Sequence, residues 1–378
     1  MLNFLKHTRK FVNSTESICI ILGNESCDLD SAVCAIALAY HYQQQSVAKN
    51  KKEHHFLPVL NIPRSDYPLK TEVKYVFDKH EISLDNLSFR DELQEDFLAR
   101  SKFILVDHHV SPFAARCLEV FDHRTFDEKT QLPSFCRRHI ELVGSCATLI
   151  GEHLLKVLNT ASHDDMLKSY EPLLQMLRGA IILDTVNFSE AANRTTPKDL
   201  QICANLEELL TQLTDQKELL QRTELFDGLV AARANISNLS SLQLLRKDLK
   251  ILTTTNASLI IALPGFPILV EQFVQKPDAV IAVQEFAKHV NATILLLMGM
   301  LVTNGSIQRD LGFIDMGAEK LCAGIREKLL STAEPALCLQ KYEDINFLNG
   351  HFYRMNNIKA TRKHILPLVK QLLDNWGK

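Results

Sequence analysis

The 378 residues contain neither a GxxxxGK[ST] loop nor a GxGxxG loop, which argues against a P-loop or dinucleotide-binding mechanism. No stretch approaches the ~18 consecutive apolar residues of a membrane span, and the longest apolar run, Ile294 to Val302, suits a buried strand. The nine cysteines are scattered and form no CxxC pair. An odd, unpaired set fits a reducing compartment rather than a disulfide framework. Basic charge is not in excess: 42 Lys and Arg against 45 Asp and Glu give a net charge of −3. A general nucleic-acid binder would carry a basic surface. Internal repeats and low-complexity segments are also missing. These absences lead to the expectation of a cytoplasmic protein with neither nucleic acid nor a membrane as partner.

What is present is an ordinary globular composition, 46% hydrophobic and 23% charged. Single cores rarely grow past ~250–300 residues, so two domains are expected, with boundaries at 1–215 and 216–378. The basic start, Met1 to Val12, has no acid before Glu16. Its two readings are a first surface helix and a mitochondrial presequence, and one short basic segment favours the helix.

The first half alternates strand-like and helix-like segments. Strands are expected at 17–22, 55–61, 102–106, 118–121 and 138–143, and helices near 31–45, 71–80, 145–158 and 166–178. The apolar run 180–183 reads equally as a short strand or as the end of the last helix. The alternation predicts an α/β fold whose N-terminal domain is a mostly parallel sheet flanked by helices. A polar helical stretch from about 200 to 232 leads onward. The second half reads as a smaller, mixed α/β domain, with strands at Leu259–Leu263 and Ile294–Met298. Helices are expected over 276–290, 316–330 and 363–376.

Aspartates crowd the ends of the apolar runs. Ile18–Leu22 is followed by Gly23-Asn24-Glu25-Ser26-Cys27-Asp28-Leu29-Asp30-Ser31, Phe103–Val106 by Asp107-His108-His109, and Ala180–Leu183 by Asp184. The run Leu118–Phe121 leads to Asp122-His123-Arg124 in the same way. Each aspartate alone reads as a helix cap or a turn residue. Together they place carboxylates where open α/β sheets bind ligands. Carboxylates this close repel unless a cation lies among them. An oxygen-rich set with one imidazole suits Mg²⁺ or Mn²⁺ better than a structural zinc. Four carboxylates balance two divalent ions, the arrangement that activates a bridging water for in-line displacement at phosphorus.

In order and spacing, Asn-x-x-x-Asp-x-Asp-Ser, Val-Asp-His-His, Asp-His-Arg and Ile-Leu-Asp resemble the motif series of the DHH phosphoesterase superfamily, and within it the prune group of exopolyphosphatase-related proteins. Glu141–Thr148 and Thr196-Pro197-Lys198-Asp199 are similar to further segments of that group. Leu244–Lys250 and Lys359–Pro367 resemble its C-terminal, substrate-closing domain. The name-giving motif corresponds to Asp122-His123-Arg124, and Asp107 belongs to the motif before it.

The resemblance implies a hydrolase of pyrophosphate or short-chain polyphosphate, acting through a hydroxide that bridges two ions in the cleft between the domains. Asn24, Asp28 and Asp107 would lie near one ion, and Asp30, Asp107, His123 and Asp184 near the other. Arg124 and His108 would face substrate, with Lys250, Arg362 and Lys363 gripping phosphate from the second domain. Asn24 stands where pyrophosphatase relatives carry histidine, and Arg124 replaces the motif's second histidine. Arg124 does not titrate near neutrality but can stabilise a phosphoryl group. Arg64 and Lys70, after a strand end, read equally as substrate contacts or loop residues. The resemblance also admits a cyclic nucleotide phosphodiesterase, or mainly an interaction protein that binds nucleoside diphosphate kinase. The long polar C-terminal extension of some prune relatives has no counterpart in this sequence.

Overall fold

The computed structural model describes residues 1–16, 18–48, 55–159, 164–213, 219–254, 258–303 and 306–376. They fall into two compact units, Met1–Asn235 and Ile236–Lys378. The boundary expected at 215/216 lies outside the described residues. The observed division comes later because a further helix, Arg222–Ala234, packs back on the first unit and buries Leu229 there.

In the first unit, α1 (Leu2–Thr8) precedes β1 (Ile18–Leu22), α2 (Leu29–Ala48), β2 (His55–Val59), α3 (Thr71–Lys79), α4 (Glu95–Arg100) and β3 (Lys102–Val106). Then come β4 (Cys117–Asp122), β5 (Arg137–Ile140), α5 (Cys146–Leu158), α6 (Asp164–Asp184), α7 (Pro197–Leu213) and α8 (Arg222–Ala234). The five strands form one sheet in the order β2-β1-β3-β4-β5. Every neighbouring pair is parallel, as the alternation of elements predicts. The order reverses between β1 and β3. Side chains beyond the carboxyl ends of those two strands therefore border the crevice where such sheets take ligands.

The sheet is covered on both faces. Helix α2 is buried along most of its length, from Leu29 to His41, which is why its sequence is apolar all round rather than on one stripe. It packs with α5, α6 and α7 in one cluster, while Ile18, Ile20, Leu22, Phe97, Phe103 and Leu105 form the other. Full burial of side chains of this size contributes roughly 1.5–3 kcal/mol each. The run 180–183 proves to be the last turn of α6, so Asp184 ends a helix and not a strand. The basic N-terminus forms α1, with Phe4 docked edge-on against Tyr40 at 5.4 Å.

The second unit contains α9 (Ser241–Lys247), β6 (Asp248–Thr253), β7 (Ile260–Phe266), α10 (Val270–Val274), α11 (Ala279–His289), β8 (Ile294–Thr303) and β9 (Ser306–Asp315). It closes with α12 (Glu319–Ser331), β10 (Leu339–Lys341), β11 (His351–Met355) and α13 (Arg362–Asn375). Its sheet runs β10-β11-β9-β8-β7-β6. Only β7 and β8 pair in parallel, so the sheet is mixed. No described helix is long and apolar enough to cross a membrane.

A buried ionic knot fastens β4, whose end carries Asp122 and leads to His123. The Glu119 carboxylate accepts bonds from Tyr42 on α2 (2.7 Å), from Arg137 on β5 (3.1 and 2.7 Å) and from His139 (2.8 Å). Burial alone would raise this carboxyl, but the three partners outweigh it and hold it at about 2, below its ordinary 4.5. Stability from a depressed carboxyl is fully present above the unfolded value and is lost as pH falls through the folded one. Glu119→Gln is expected to lower the urea midpoint at pH 7 and to flatten the decline in stability between pH 4.5 and about 2. Urea titrations across that range test this. An acid limb identical to that of the wild type would assign the proton uptake to other groups.

Candidate metal and phosphate site

The site is built on the carboxyl edge of the parallel sheet. After β1 the chain makes a close turn. A side chain at Gly23 would collide with the Ser31 hydroxyl, and that hydroxyl accepts from the Asn24 amide at 2.7 Å. The turn delivers two carboxylates to the start of α2. Asp28 accepts from the Ser31 backbone amide at 3.2 Å, a capping bond. Asp30 points across to the N-terminus of α5 and accepts from the amides of Cys146 and Ala147, both at 2.7 Å. The positive end of that helix favours the charge. Asp28 thus caps α2 and also lines the cavity described below.

Asp107 follows β3 in a left-handed conformation, φ 62°, a costly backbone for a residue with a β-carbon. Its amide donates to Phe121 O at 2.8 Å, which extends the β3–β4 pairing by one residue. The side chain is buried. Oδ2 accepts from Asn24 Nδ2 at 2.6 Å. Oδ1 lies 3.2 Å from His123 Nε2 and 3.6 Å from the Arg124 guanidinium, and it has no hydrogen-bond partner among the described residues.

The His123 ring is oriented from behind. Its Nδ1 lies 3.1 Å from Val143 O, and a carbonyl only accepts, so Nδ1 carries the proton. In the neutral ring the Nε2 lone pair then faces the Asp107 carboxylate. Two acceptors in opposition call for a proton or a cation between them. Asp30, Asp107 and His123 each offer a ligand atom, and these atoms all lie within 4.8 Å of one another.

The electrostatics report the same crowding. Burial pushes the Asp107 carboxyl up to about 7, repulsion from Asp30 adds to this, and the neighbouring His123 ring opposes it. Burial also raises Asp30, and it raises Asp184 well above its ordinary value, with repulsion from Asp30 and Asp28 reinforcing the effect at Asp184. Burial would lower His123, but Asp107 and Asp30 outweigh it and lift the ring to about 9. Carboxylates that resist ionising together are relieved by a cation. The donor set fits a hard divalent ion: carboxylate oxygens, one imidazole whose remaining nitrogen is already bonded, and an unsatisfied buried oxygen.

Asp28, Asp30, Asp107, Asp184, His123 and Arg124 line one cavity of about 610 Å³. Six of the residues expected at the site thus converge. Asn24 differs from expectation. Its Oδ1 accepts from the Cys27 amide at 3.1 Å while its Nδ2 holds Asp107, so its oxygen is engaged in the turn and the residue orients Asp107. His108 is not among the cavity's lining residues. Its Nδ1 turns back to Val106 O at 3.0 Å, and burial lowers its pKa. Asp122 is buried and binds His109 at 2.5 Å, away from the cavity. Arg64 opens the short 3-10 helix Arg64–Leu69 and pairs with Asp85 and Glu92 rather than lining the cavity. His54 lies outside the described residues, and His55 pairs with Glu16 at 3.1 Å.

Lys250, Arg362 and Lys363 belong to the second unit. Lys250 lies on β6, two residues after Asp248, and Arg362 donates to Asp248 O and Oδ1, both at 2.8 Å. Arg362 and Lys363 open α13, which has no acid in its first turn. Sequence reasoning missed the remainder of the cavity wall: Leu142-Val143-Gly144 after β5, and Asn193 to Thr196 before α7. The resemblance had marked segments overlapping both stretches without giving either a role.

Residues 227–372 match the DHHA2 domain family. The whole chain is 32% identical over 385 residues to exopolyphosphatase PRUNE1 of Homo sapiens and covers 80% of that protein. It is 25% identical to a putative exopolyphosphatase of Schizosaccharomyces pombe, with 95% of this chain and 91% of the relative aligned. Among solved structures, a putative family II inorganic pyrophosphatase of Methanococcus jannaschii shares the fold, with a TM-score of 0.50 at 17% identity, over 94% of this chain and 99% of that one.

The crowding is testable without substrate. A carboxyl raised from 3.8 to about 7 destabilises the fold as pH rises through that interval, because ionisation costs more in the folded state. Asp107→Asn removes the cost. In excess EDTA at pH 8 the variant is expected to melt a few degrees above the wild type. An equal or lower melting temperature would show that the ion pair with His123 outweighs the repulsion.

Proposed function

The chain belongs to the DHH phosphoesterase superfamily as a prune-related protein, and from this premise we propose that it hydrolyses the phosphoanhydride bonds of pyrophosphate or short-chain polyphosphate. The observation that carries the reading is the convergence of Asp28, Asp30, Asp107, Asp184 and His123 on one cavity that Arg124 also lines. The names of the relatives, exopolyphosphatase and family II inorganic pyrophosphatase, point to the same substrate class.

In this reading Asp28, Asp30, Asp107, His123 and Asp184 would hold two divalent ions, Mn²⁺ or Mg²⁺, and Asp107 would serve both. Such ions supply a water acidic enough to act as nucleophile near neutral pH and neutralise phosphate charge. The chain's own residues do the rest. Asn24 fixes one oxygen of Asp107, and the Val143 carbonyl fixes the tautomer of His123. Arg124, its side chain 56% exposed in the cavity wall, offers a guanidinium to the phosphoryl oxygens. In the second unit, Arg362 and Lys363 stand at the positive end of the α13 dipole. Cations are disfavoured there, and a bound anion relieves the cost. Together with Lys250 they form the phosphate grip. One feature favours cyclic nucleotides as a second reading: Leu142, 65% exposed, gives the cavity an apolar surface against which a base can lie.

Phosphate release from pyrophosphate, tripolyphosphate, long-chain polyphosphate and cyclic AMP, each with Mg²⁺ and with Mn²⁺, tests the assignment. Linear phosphates are expected to be preferred. Turnover of cyclic AMP alone would reverse the order of the two readings. Asp107→Ala should cost more than ~100-fold in kcat/KM, beyond the range seen when only a ligand's hydrogen-bond partner is lost. Wild-type activity in that variant would remove the metal assignment.

Arg124 gives a second test. Arg124→Ala is expected to lower kcat/KM by about 10-fold, the size of a charge-assisted contact near solvent. Arg124→His puts a titratable group in its place and should add a dependence on pH near ~6.5. If the kcat profiles of both variants coincide with that of the wild type, Arg124 lies outside the reacting cluster.

A further inference from the structure

Six consecutive residues, Val143 to Thr148, alternate between the site and one buried carboxylate. Val143 O orients His123, and the amides of Cys146 and Ala147 hold Asp30. Between and beyond these contacts, the Gly144 amide donates to Asp199 at 3.0 and 2.9 Å, and the Thr148 hydroxyl donates to it at 2.6 Å. Asp199 lies in the first turn of α7 and is fully buried. Its remaining donors are the amide and hydroxyl of Thr196, both at 2.7 Å. Asp199 itself does not line the cavity, whereas Gly144 and Thr196 do.

The packing around Gly144 leaves no slack. A β-carbon there would stand 2.7 Å from Arg194 O, 2.7 Å from Thr185 Cγ2 and 3.0 Å from Asp199 Oδ2. Thr185 directly follows Asp184. The turn after β5, the end of α6 and the loop before α7 therefore meet around Gly144, beside this carboxylate. All four donors to Asp199 are neutral. Burying a charge among neutral donors is expensive, and a bond to every donor makes the arrangement rigid.

We propose that Asp199 is a positioning residue for the metal site, setting the Val143–Thr148 turn and through it the orientation of His123 and Asp30. The proposal rests on the metal reading given above. Asp199 acts two contacts behind the ligands: it fixes the turn that fixes them. Partners of ligands in this position typically change metal affinity by about 10–100-fold when lost.

The test is Mn²⁺ binding by the full chain, stripped of metal and then titrated, with free Mn²⁺ read by electron paramagnetic resonance. Asp199→Asn keeps the shape, but its amino group cannot accept, so one of the two Gly144 bonds is lost together with that from Thr148 or those from Thr196. Its Kd for Mn²⁺ is expected to weaken by about 10–100-fold, measured at a temperature where circular dichroism shows the native fold. Thr148→Val removes one donor with little change of shape and remains informative if Asp199→Asn does not fold. It should weaken binding by about 3-fold or more, in proportion to the one bond lost. A purely structural role would lower the melting temperature and leave the affinity of the folded protein unchanged. That result, in either folded variant, overturns the proposal. Failure of the wild type to take up Mn²⁺ is a separate outcome, which overturns the metal reading and the proposal with it.

Discussion

Repulsion among the carboxylates is the constraint on which the first unit depends. Asp28, Asp30, Asp107 and Asp184 meet in one cavity, and burial raises the last three. Two helix N-termini are turned toward the cluster. That of α2 is capped by Asp28, and that of α5 donates two amides to Asp30. Their positive ends offset part of the repulsion, and His123 and Arg124 offset more. What remains unbalanced is the physical basis of the site's appetite for cations.

The backbone carries part of the same cost. Asp107 is left-handed at φ 62°, and Val186, Asn187 and Phe188 follow Asp184 with φ of 53°, 52° and 60°. Two segments that line the cavity are thus strained at or just after their aspartates, and strain of this kind persists only where the surroundings over-determine it. They do so here. Asp107 is held by its own amide on Phe121 and by Asn24. The turn after α6 is tied by the Thr185 hydroxyl to Ile181 O at 2.7 Å and by Phe188 beneath the Arg222 guanidinium at 5.0 Å. Helix α8, which carries Arg222, thereby supports the site from a distance and belongs with the first unit for that reason.

The second unit follows a complementary logic. Its basic residues stand at the N-terminus of α13 and on β6, an edge strand of the mixed sheet. Arg362 is already half committed, bonded to Asp248 through two nitrogens. That pairing fixes the guanidinium in place rather than neutralising the patch, since Lys250 and Lys363 are both exposed. The first unit thus gathers acidic side chains at its cavity, and the second carries a cationic helix start.

The sequence by itself determined the parallel sheet, because buried strands alternating with helices leave little other choice, and it singled out Asp28, Asp30, Asp107 and Asp184, which line one cavity, by the apolar runs before them. It left open whether residues 180–183 form strand or helix, since a short apolar run satisfies both periods, and the packing of α6 against α2 and α7 resolved this as helix. Sequence placed Asn24 among the ligands. Only the folded turn shows its oxygen taken by Cys27 and its amide by Asp107, because a side chain's hydrogen bonds depend on neighbours 83 residues away. His108 and His123 look alike as neighbours of aspartate, yet one turns to its own strand and the other to the cavity. The role of Asp199 was legible only as a family-like segment. Its donors come from two separate stretches of chain, Gly144 to Thr148 and Thr196, and no local pattern encodes a meeting that tertiary packing alone brings about.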